Sequence, residues 1–406
     1  MKHKLIVSLA VVSVLFADVS AQSVTGLRKI NPTTVEVSLD DDRRMSLDFY
    51  GDDVFRLFRD DAGGIIRDPE ASPEAQILVD DPRKKVTSLE IGDENGFFTV
   101  STPEVQVRID KLTSCMTVID RKRDKTVLQQ AAPVVFDKGR TCISFREMPM
   151  EYFYGGGVQN GRFSHKGEAI AIVNQNSWTD GGVASPAPFY WSTAGYGMMW
   201  HTFAPGDYDF GRSEEGVVKL CHDTDYLDIF LMVGDGIKPL LGGFYQLTGN
   251  PVLLPKFGFY QGHLNAYNRD YWAEDEKGIL FEDGKRYKES QKDNGGIKES
   301  LNGEKDNYQF SARAVVDRYL AHDMPLGWVL PNDGYGAGYG QTETLDGNIA
   351  NLREFGDYAR SKGVEIGLWT QSDLHPRDGV EALLQRDIVK EVRDAGVRVL
   401  KTDVAW

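Results

Sequence analysis

Cysteine is scarce in this sequence: its 406 residues include only Cys115, Cys142 and Cys221. So small and odd a set excludes a disulfide framework and a cysteine metal cluster. At most one bridge can form, and we expect buried thiols. Positive charge is also sparse, because 46 Lys and Arg face 61 Asp and Glu, for a net charge of −15. This balance argues against electrostatic capture of nucleic acid or anionic lipid and favours a neutral, polar ligand.

An apolar run lies at the start of the chain, from Leu5 to Phe16, after two lysines. Val19-Ser20-Ala21 then gives a small-residue cleavage pattern, which predicts a signal peptide over residues 1–21. Asp18 interrupts the run before it reaches the roughly 20 apolar residues of a membrane span. No Cys follows the small residues, so no lipid anchor is indicated. We expect a periplasmic or secreted protein that begins at about Gln22.

The segment over residues 22–250 has the period of β-strands. Thr34–Leu39, Val105–Ile109 and Tyr226–Phe230 alternate apolar and polar residues, and no stretch carries a helical period. Many such strands must bury one face against a second sheet, so the pattern predicts an all-β sandwich. The part from Tyr152 to Trp200, rich in glycine and aromatics, is expected to form a long loop or ligand-facing turns. Its aromatic residues either fill the core or stack on sugars.

The period changes over residues 251–406. Lys256–Tyr260 resembles a short apolar strand, and three units then repeat an amphipathic helix, an apolar strand and a polar cluster. The predicted helices and strands are Ala312–Leu320 with Leu326–Leu330, Leu352–Arg360 with Val364–Trp369, and Ile388–Asp394 with Val397–Leu400. This repeat predicts the first half of a (β/α)8 barrel. An open doubly wound sheet is the alternative, but Gln261-Gly262-His263 is not the glycine-rich phosphate turn that such sheets usually carry.

A charge-dense insertion, residues 273–308, separates the first predicted strand from the first helix. Such a stretch is typical of a solvated excursion. Because it leaves from the carboxyl end of a strand, a second interpretation is that it walls the mouth of an active site.

Carboxylates and tryptophans follow the predicted barrel strands, at the end where barrel enzymes carry their reactive groups. The residues are Asp333, Asp373 and Asp403, interleaved with Trp328, Trp369 and Trp406. Carboxylates beside aromatic platforms suggest sugar chemistry, although each Asp taken alone has the alternative role of a helix N-cap. Asp403 stands out because Lys401-Thr402 precedes it, and a nearby ammonium keeps a carboxylate ionised, as a nucleophile requires. His263 and His375 are weaker candidates.

Several motifs, taken in order, resemble those of glycoside hydrolase family 31. They are the glycine run of Tyr152–Gly157, Pro188-Phe189-Tyr190 followed by Gly195-Tyr196-Gly197, the strand entry Pro255–Phe259, and Lys401-Thr402-Asp403. The resemblance implies a galactose-mutarotase-like sandwich before a (β/α)8 barrel, and hydrolysis or transfer of α-linked sugars with retention.

The resemblance also implies roles for individual residues. Asp403 takes the position of the nucleophile and Asp333 that of a sugar-hydroxyl ligand, with Lys401, Trp369, His263 and Trp406 as further substrate contacts. The implied partner is an α-linked oligo- or polysaccharide, and no cofactor or metal is indicated.

Two departures from the family pattern carry information. The Lys401-Thr402-Asp403 form is similar to that of the sister α-galactosidase families 27 and 36, which favours a galactoside over a glucoside. The barrel stops after its fourth predicted strand, and the family's acid/base carboxylate belongs to a later strand. We therefore expect this chain to be the N-terminal part of a longer enzyme and to be inactive alone. The alternative is a non-catalytic glycan-binding protein with a residual half barrel.

Overall fold

The structure is a computed structural model. It describes residues 22–64, 77–161, 163–175, 177, 179–266, 270–332, 344–371 and 387–403. The predicted signal peptide lies outside these residues. The chain divides into two compact units, Met1–Pro251 and Val252–Trp406. No helix in the described ranges has the length and apolar character that a membrane span requires.

The first unit consists of two antiparallel sheets. Its strands in chain order are β1 (Val24–Lys29), β2 (Thr34–Leu39), β3 (Arg44–Phe49), β4 (Val54–Asp60), β5 (Glu90–Glu94), β6 (Phe97–Ser101), β7 (Val105–Asp110), β8 (Met116–Asp120), β9 (Lys125–Asp137), β10 (Arg140–Arg146), β11 (Phe153–Gln159), β12 (Ala169–Ile172), β13 (Val183–Ser192), β14 (Tyr196–Trp200), β15 (Gly206–Phe210), β16 (Val217–His222) and β17 (Tyr226–Val233). An eight-stranded sheet has the order β1-β2-β3-β4-β17-β14-β13-β11, and a nine-stranded sheet has the order β12-β15-β16-β10-β9-β8-β7-β6-β5. The predicted sandwich is confirmed.

The sandwich core follows from the period-2 pattern. Along β7, Val105, Val107 and Ile109 are fully buried while Gln106 and Arg108 are not. They join buried side chains from both sheets in one hydrophobic cluster. Burial of a complete apolar face against the opposite sheet is the main stabilising contribution in such a fold.

A helix covers the outer face of the eight-stranded sheet, which the sequence pattern did not predict. Helix α1 (Ile237–Thr248) packs Leu240 and Leu247 into a second cluster that includes Phe230 and Met232 of β17. Gly243 permits this close packing, because a Cβ there would come within 2.6 Å of the Met232 side chain. Strand β4, whose Val54 joins this second cluster, is buried along its whole length rather than on alternate residues.

The Tyr152–Trp200 segment is also more regular than expected, since strands β11, β12, β13 and β14 lie within it. Its glycine run is required on β11: Gly157 has a φ of +81°, and a Cβ there would lie 2.1 Å from the Ser185 carbonyl oxygen of β13. Tyr190 is fully buried, and the rings of Tyr154 and Trp191 stack at 4.6 Å. Much of the aromatic content thus serves packing.

A disulfide joins Cys142 of β10 to Cys221 of β16, which corrects the expectation of buried thiols. The two residues lie directly opposite each other in the antiparallel register, with a Cα–Cα distance of 4.2 Å. Only the strand pairing brings together cysteines that are 79 residues apart in sequence. A bridge over such a separation typically contributes about 2–4 kcal/mol. Cys115 remains a free thiol.

The second unit begins with a 3-10 helix, Lys256–Phe259, where we expected a strand. Its turns are closed by backbone hydrogen bonds from Gly258 to Pro255 and from Tyr260 to Phe257. A short apolar run does not distinguish a strand from a helical turn by periodicity, and here the turn follows Pro255. The first barrel strand, β18 (Gly262–Ala266), comes just after it.

The barrel part contains four parallel strands and three helices in the described residues. After β18 they are α2 (Ala312–Ala321), β22 (Trp328–Pro331), α3 (Asp346–Ser361), β23 (Glu365–Gln371), α4 (Ile388–Ala395) and β24 (Val399–Asp403). The sheet order is β18-β22-β23-β24 with parallel pairing throughout, which confirms an incomplete (β/α)8 barrel after the sandwich. Ser311 and Asp387 cap α2 and α4, each accepting a backbone N–H three residues on.

The charged insertion is an ordered excursion whose residues are mostly exposed, in agreement with the expectation of a solvated segment. It forms a three-stranded antiparallel sheet of β19 (Tyr271–Leu280), β20 (Arg286–Ser290) and β21 (Ile297–Lys298). An aromatic cluster holds it together: the Phe310 ring lies 4.9 Å from both Phe281 and Tyr287 and 5.6 Å from Trp272. The sequence did not reveal this aromatic cluster, because its four rings are spread over 39 residues, from Trp272 to Phe310, among many charged residues.

Candidate active site at the carboxyl ends of the barrel strands

The parallel register brings the predicted site residues to one edge of the barrel sheet. Trp369 of β23 pairs with Lys401 of β24, and Gln371 pairs with Asp403. Asp403 is the last residue of β24. Asn332 directly follows β22, the strand on the other side of β23. Three adjacent strands therefore end in polar positions at the edge where barrel enzymes carry their active sites.

Alternation along β23 and β24 decides which side chains share a face. Ile366 and Leu368 pack into the cluster formed with the helices, so they face outward. Gly367 lies on the opposite face, where a Cβ would meet the Leu330 side chain at 2.8 Å. Trp369 has the same parity as Gly367, and Lys401 is its partner in register. Positions 401 and 403, two residues apart on one strand, lie on this inner face together.

A hydrogen bond links the outer two of these strands. The Lys401 Nζ donates to the Oδ1 of Asn332 at 3.0 Å. Asn332 is 7% exposed and Lys401 is half-buried. Lys401 was predicted from the sequence, whereas Asn332 was not, because its neighbour Asp333 was the candidate there. The available signal was its position immediately after an apolar strand, which is the same signal that selected the aspartates.

Neither Trp369 nor His263 lies on an open sugar-binding surface in this structure. Trp369 is fully buried, so its ring does not present an accessible face in this structure. The His263 ring lies 6.0 Å from the Tyr319 ring of α2, on the helix side of β18. His263 pairs with Val329, and Val329 with Ile366, three residues before the level of Trp369. This register puts His263 about 10 Å below the level of Lys401, further from the carboxyl edge.

Asp333 and Trp406, together with Asp373 and His375, lie outside the described residues. For Asp403 the structure gives the position of the backbone, at the end of β24. In the part of the chain that the structure covers, no three His, Cys, Asp or Glu side chains are grouped as a metal site would require.

The sandwich identifies the class of the protein. Residues 44–209 match the family model of the glycosyl hydrolase 31 N-terminal galactose mutarotase-like domain. This match covers most of both sheets described above. The first unit is thus a galactose-mutarotase-like domain of the kind that precedes a glycoside hydrolase barrel.

Relatives align at modest identity. An α-xylosidase of Saccharolobus solfataricus is 27% identical over 112 residues, 27% of this chain and 14% of the relative. The α-xylosidase XylQ of Lactiplantibacillus pentosus is 24% identical over 217 residues, 52% of this chain and 27% of the relative. The matched part of the chain therefore spans well under a third of these relatives. Together with the domain match over residues 44–209, these relatives support an assignment of the chain to glycoside hydrolase family 31.

Solved structures share the fold across both units. A GH31 dextranase of Flavobacterium johnsoniae, complexed with glucose, aligns with a TM-score of 0.66 at 15% identity, over 87% of this chain and 39% of the dextranase. A GH31 α-xylosidase from a soil metagenome, complexed with xylose, aligns with a TM-score of 0.61 at 14% identity, over 88% and 49% of the two chains. At these identities the likeness supports the fold, namely the sandwich followed by part of a barrel.

Proposed function

We propose that this protein is a retaining α-glycosidase acting on α-linked oligo- or polysaccharides, with Asp403 as its nucleophile. The observation that carries the proposal is the inner carboxyl edge of the barrel sheet, where the Lys401 ammonium, bound to Asn332 at 3.0 Å, shares a strand face with position 403. The match of the sandwich to the family 31 N-terminal domain supports a glycosidase role for this edge.

The proposed reaction needs two carboxyl groups. The Asp403 carboxylate attacks the anomeric carbon and forms a covalent glycosyl-enzyme while a second, protonated carboxyl group protonates the departing glycosidic oxygen; water then releases the sugar. The resemblance gives the second group to a later strand. Lys401 is suited to donate hydrogen bonds to a sugar hydroxyl, and Asp333 and Trp406 are proposed as further contacts on the resemblance alone.

The proposed identity of the sugar rests on one sequence motif rather than on the names of the relatives. The relatives named above are α-xylosidases and a dextranase, and none of these names points to galactosides. The Lys401-Thr402-Asp403 form favours a galactose-type sugar by its similarity to the sister α-galactosidase families. We therefore propose a galactose-configured substrate as the finer assignment.

A panel of nitrophenyl glycosides tests this assignment. On the full-length protein we expect kcat/KM for the α-galactoside or α-N-acetylgalactosaminide to exceed that for the α-glucoside by at least about tenfold, since one well-placed hydrogen bond to a charged group contributes roughly 1.5–3 kcal/mol. The α-xyloside, which lacks the C6 hydroxymethyl group, serves as the control. A clear preference for glucoside or xyloside contradicts the galactoside assignment. Binding of sugars without hydrolysis of any glycoside would instead favour the non-catalytic glycan-binding protein.

We also propose that the protein is exported. The N-terminal apolar segment with its small-residue cleavage pattern supports this, and so does the Cys142–Cys221 bridge, because disulfides persist in oxidising compartments and are rare in the cytosol.

The thiol count and the mature N-terminus test export together. Protein recovered from the periplasm or medium should begin at about Gln22, with Cys142 and Cys221 protected from thiol labelling and Cys115 free to react. The same chain expressed without its first residues in a reducing cytosol is the control, and all three of these cysteines should then be labelled. An unprocessed Met1, or labelling of Cys142 and Cys221 in the exported fraction, contradicts the proposal. Mass spectrometry with and without thiol labelling gives both readouts.

A further inference from the structure

The hydrogen bond between Lys401 and Asn332 crosses a whole strand. The sheet order is β22-β23-β24, so the two residues belong to strands that are not neighbours. Adjacent strands lie about 4.8 Å apart, which puts the two backbones roughly 10 Å from each other. The lysine side chain, the asparagine side chain and the hydrogen bond between them together span that gap, with the Lys401 Nζ 3.0 Å from the Asn332 Oδ1.

The side chain of Lys401 therefore extends across the inner face of β23. Its register partner on β23 is Trp369, which is fully buried. Asn332 is nearly as buried, at 7% exposed. A long, flexible cation is thus anchored at its tip by a residue that is itself enclosed, and anchoring limits the many rotamers that a lysine otherwise samples.

The chemistry of the anchor matters as much as its position. A partly buried ammonium requires hydrogen-bond acceptors. An amide oxygen accepts from Lys401 without carrying charge, whereas a carboxylate in the same place would form an ion pair and cancel the positive charge locally. The asparagine thus holds the lysine while leaving its charge to act on groups at the strand ends, where position 403 is two residues away on the same face.

We propose that Asn332 is a positioning residue: it holds the Lys401 ammonium at the carboxyl edge of the barrel sheet, ready to bind a substrate hydroxyl, and its neutrality preserves the positive charge of that edge. This inference rests on the proposed function, since it assigns a task to Lys401 in binding an α-glycoside.

The experiment is a double-mutant cycle in the full-length protein, assayed with the glycoside that the wild type hydrolyses best. We expect Asn332→Ala to lower kcat/KM by roughly 10- to 100-fold, the range of a hydrogen bond to a charged group. In a Lys401→Ala background the same change should cost less than about threefold, because the two residues act as a unit. Thr402→Ala, on the opposite face of the same strand from Lys401, is the matched control and should leave kcat/KM unchanged.

The Asn332→Asp variant tests the effect of a negative charge on the residue that holds Lys401, because the substitution preserves the shape of the side chain. It keeps an acceptor of the same size at the same place, so we expect folding to be retained and kcat/KM to fall nonetheless, by about tenfold. It also keeps the test decisive if Asn332→Ala fails to fold. Calorimetric titration with the free sugar product should follow the same order of variants, which gives a readout apart from turnover.

Some outcomes would overturn the inference alone. Full additivity of Asn332→Ala and Lys401→Ala would show that Asn332 acts apart from Lys401. Wild-type kinetics in both Asn332 variants would show that no positioning is needed, and wild-type kinetics in Asn332→Asp alone would remove the charge argument. A wild-type protein that neither hydrolyses nor binds any α-glycoside fails the proposed function itself, and the inference falls with it.

Discussion

Under the proposed retaining mechanism, replacing Asp403 by Asn is expected to lower kcat of the full-length protein by at least about three orders of magnitude, because an amide cannot form the covalent glycosyl-enzyme. The loss should appear in kcat with little change in sugar binding, since the substitution preserves size. A sugar epoxide or fluoride that traps the nucleophile should label the peptide Lys401–Trp406 in the wild type and not in Asp403→Asn. Stopped assays and peptide mass spectrometry measure both effects.

Thr402→Ala again provides the matched control, because it changes the neighbouring position on the opposite parity of the strand. Its turnover and labelling should match those of the wild type. Turnover near the wild-type rate in Asp403→Asn, or label on a different peptide, would remove Asp403 from the nucleophile role.

The second large effect is expected on stability, at a buried ion pair in the sandwich. Arg56 of β4 binds Asp228 of β17 through two parallel hydrogen bonds of 2.7 Å, and the side chains are 3% and 0% exposed. His201 contacts the same carboxylate at 3.0 Å. The guanidinium also lies 5.5 Å from the centre of the Phe230 ring. Asp228→Ala would leave this buried cation without its bidentate partner.

We expect Asp228→Ala to lower the free energy of unfolding of the sandwich by about 3–5 kcal/mol, the typical cost of removing one member of a buried pair. Hydrogen exchange of peptides from β4 and β17 measures this locally, so the second unit does not confuse the readout. The control is Lys122→Ala, which breaks the pair with Glu104; Lys122 is 65% exposed, and little change is expected. Equal protection in Asp228→Ala and the wild type would contradict the prediction.

The sequence predicted the fold wherever one local pattern dominated. Alternation along strands such as Val105–Asp110 predicted the sandwich, and the repeat of helix and strand predicted the parallel sheet. Helix α1 was not predicted because Gly242 and Gly243 in its interior weaken its intrinsic propensity, and it is stabilised by packing against β17 instead. Tertiary contacts of this kind leave little trace in a single sequence.

The candidate site, like the fold, was predictable from the sequence only in part. Position after an apolar strand identified Asp403 and Lys401, and the register places both at the carboxyl edge. The partnership of Lys401 with Asn332 depends on sheet order, since 69 residues of sequence separate them. His263 is a candidate from the sequence because it follows Lys256–Tyr260, the predicted first strand. That run is a 3-10 helix, so His263 instead belongs near the beginning of β18 and faces Tyr319.

The Cys142–Cys221 bridge changes the covalent topology of the sandwich. It closes a ring of main chain that contains all of β11, β12, β13, β14 and β15. A single cut anywhere inside the ring opens it without separating the two pieces, because the sulfur bond still joins them. Strands from both sheets would thus stay tethered after such a cut, at an effective concentration high enough for re-pairing. The glycine- and aromatic-rich segment Tyr152–Trp200 lies inside this ring, so the disulfide would keep the chain joined after a backbone cut in that segment.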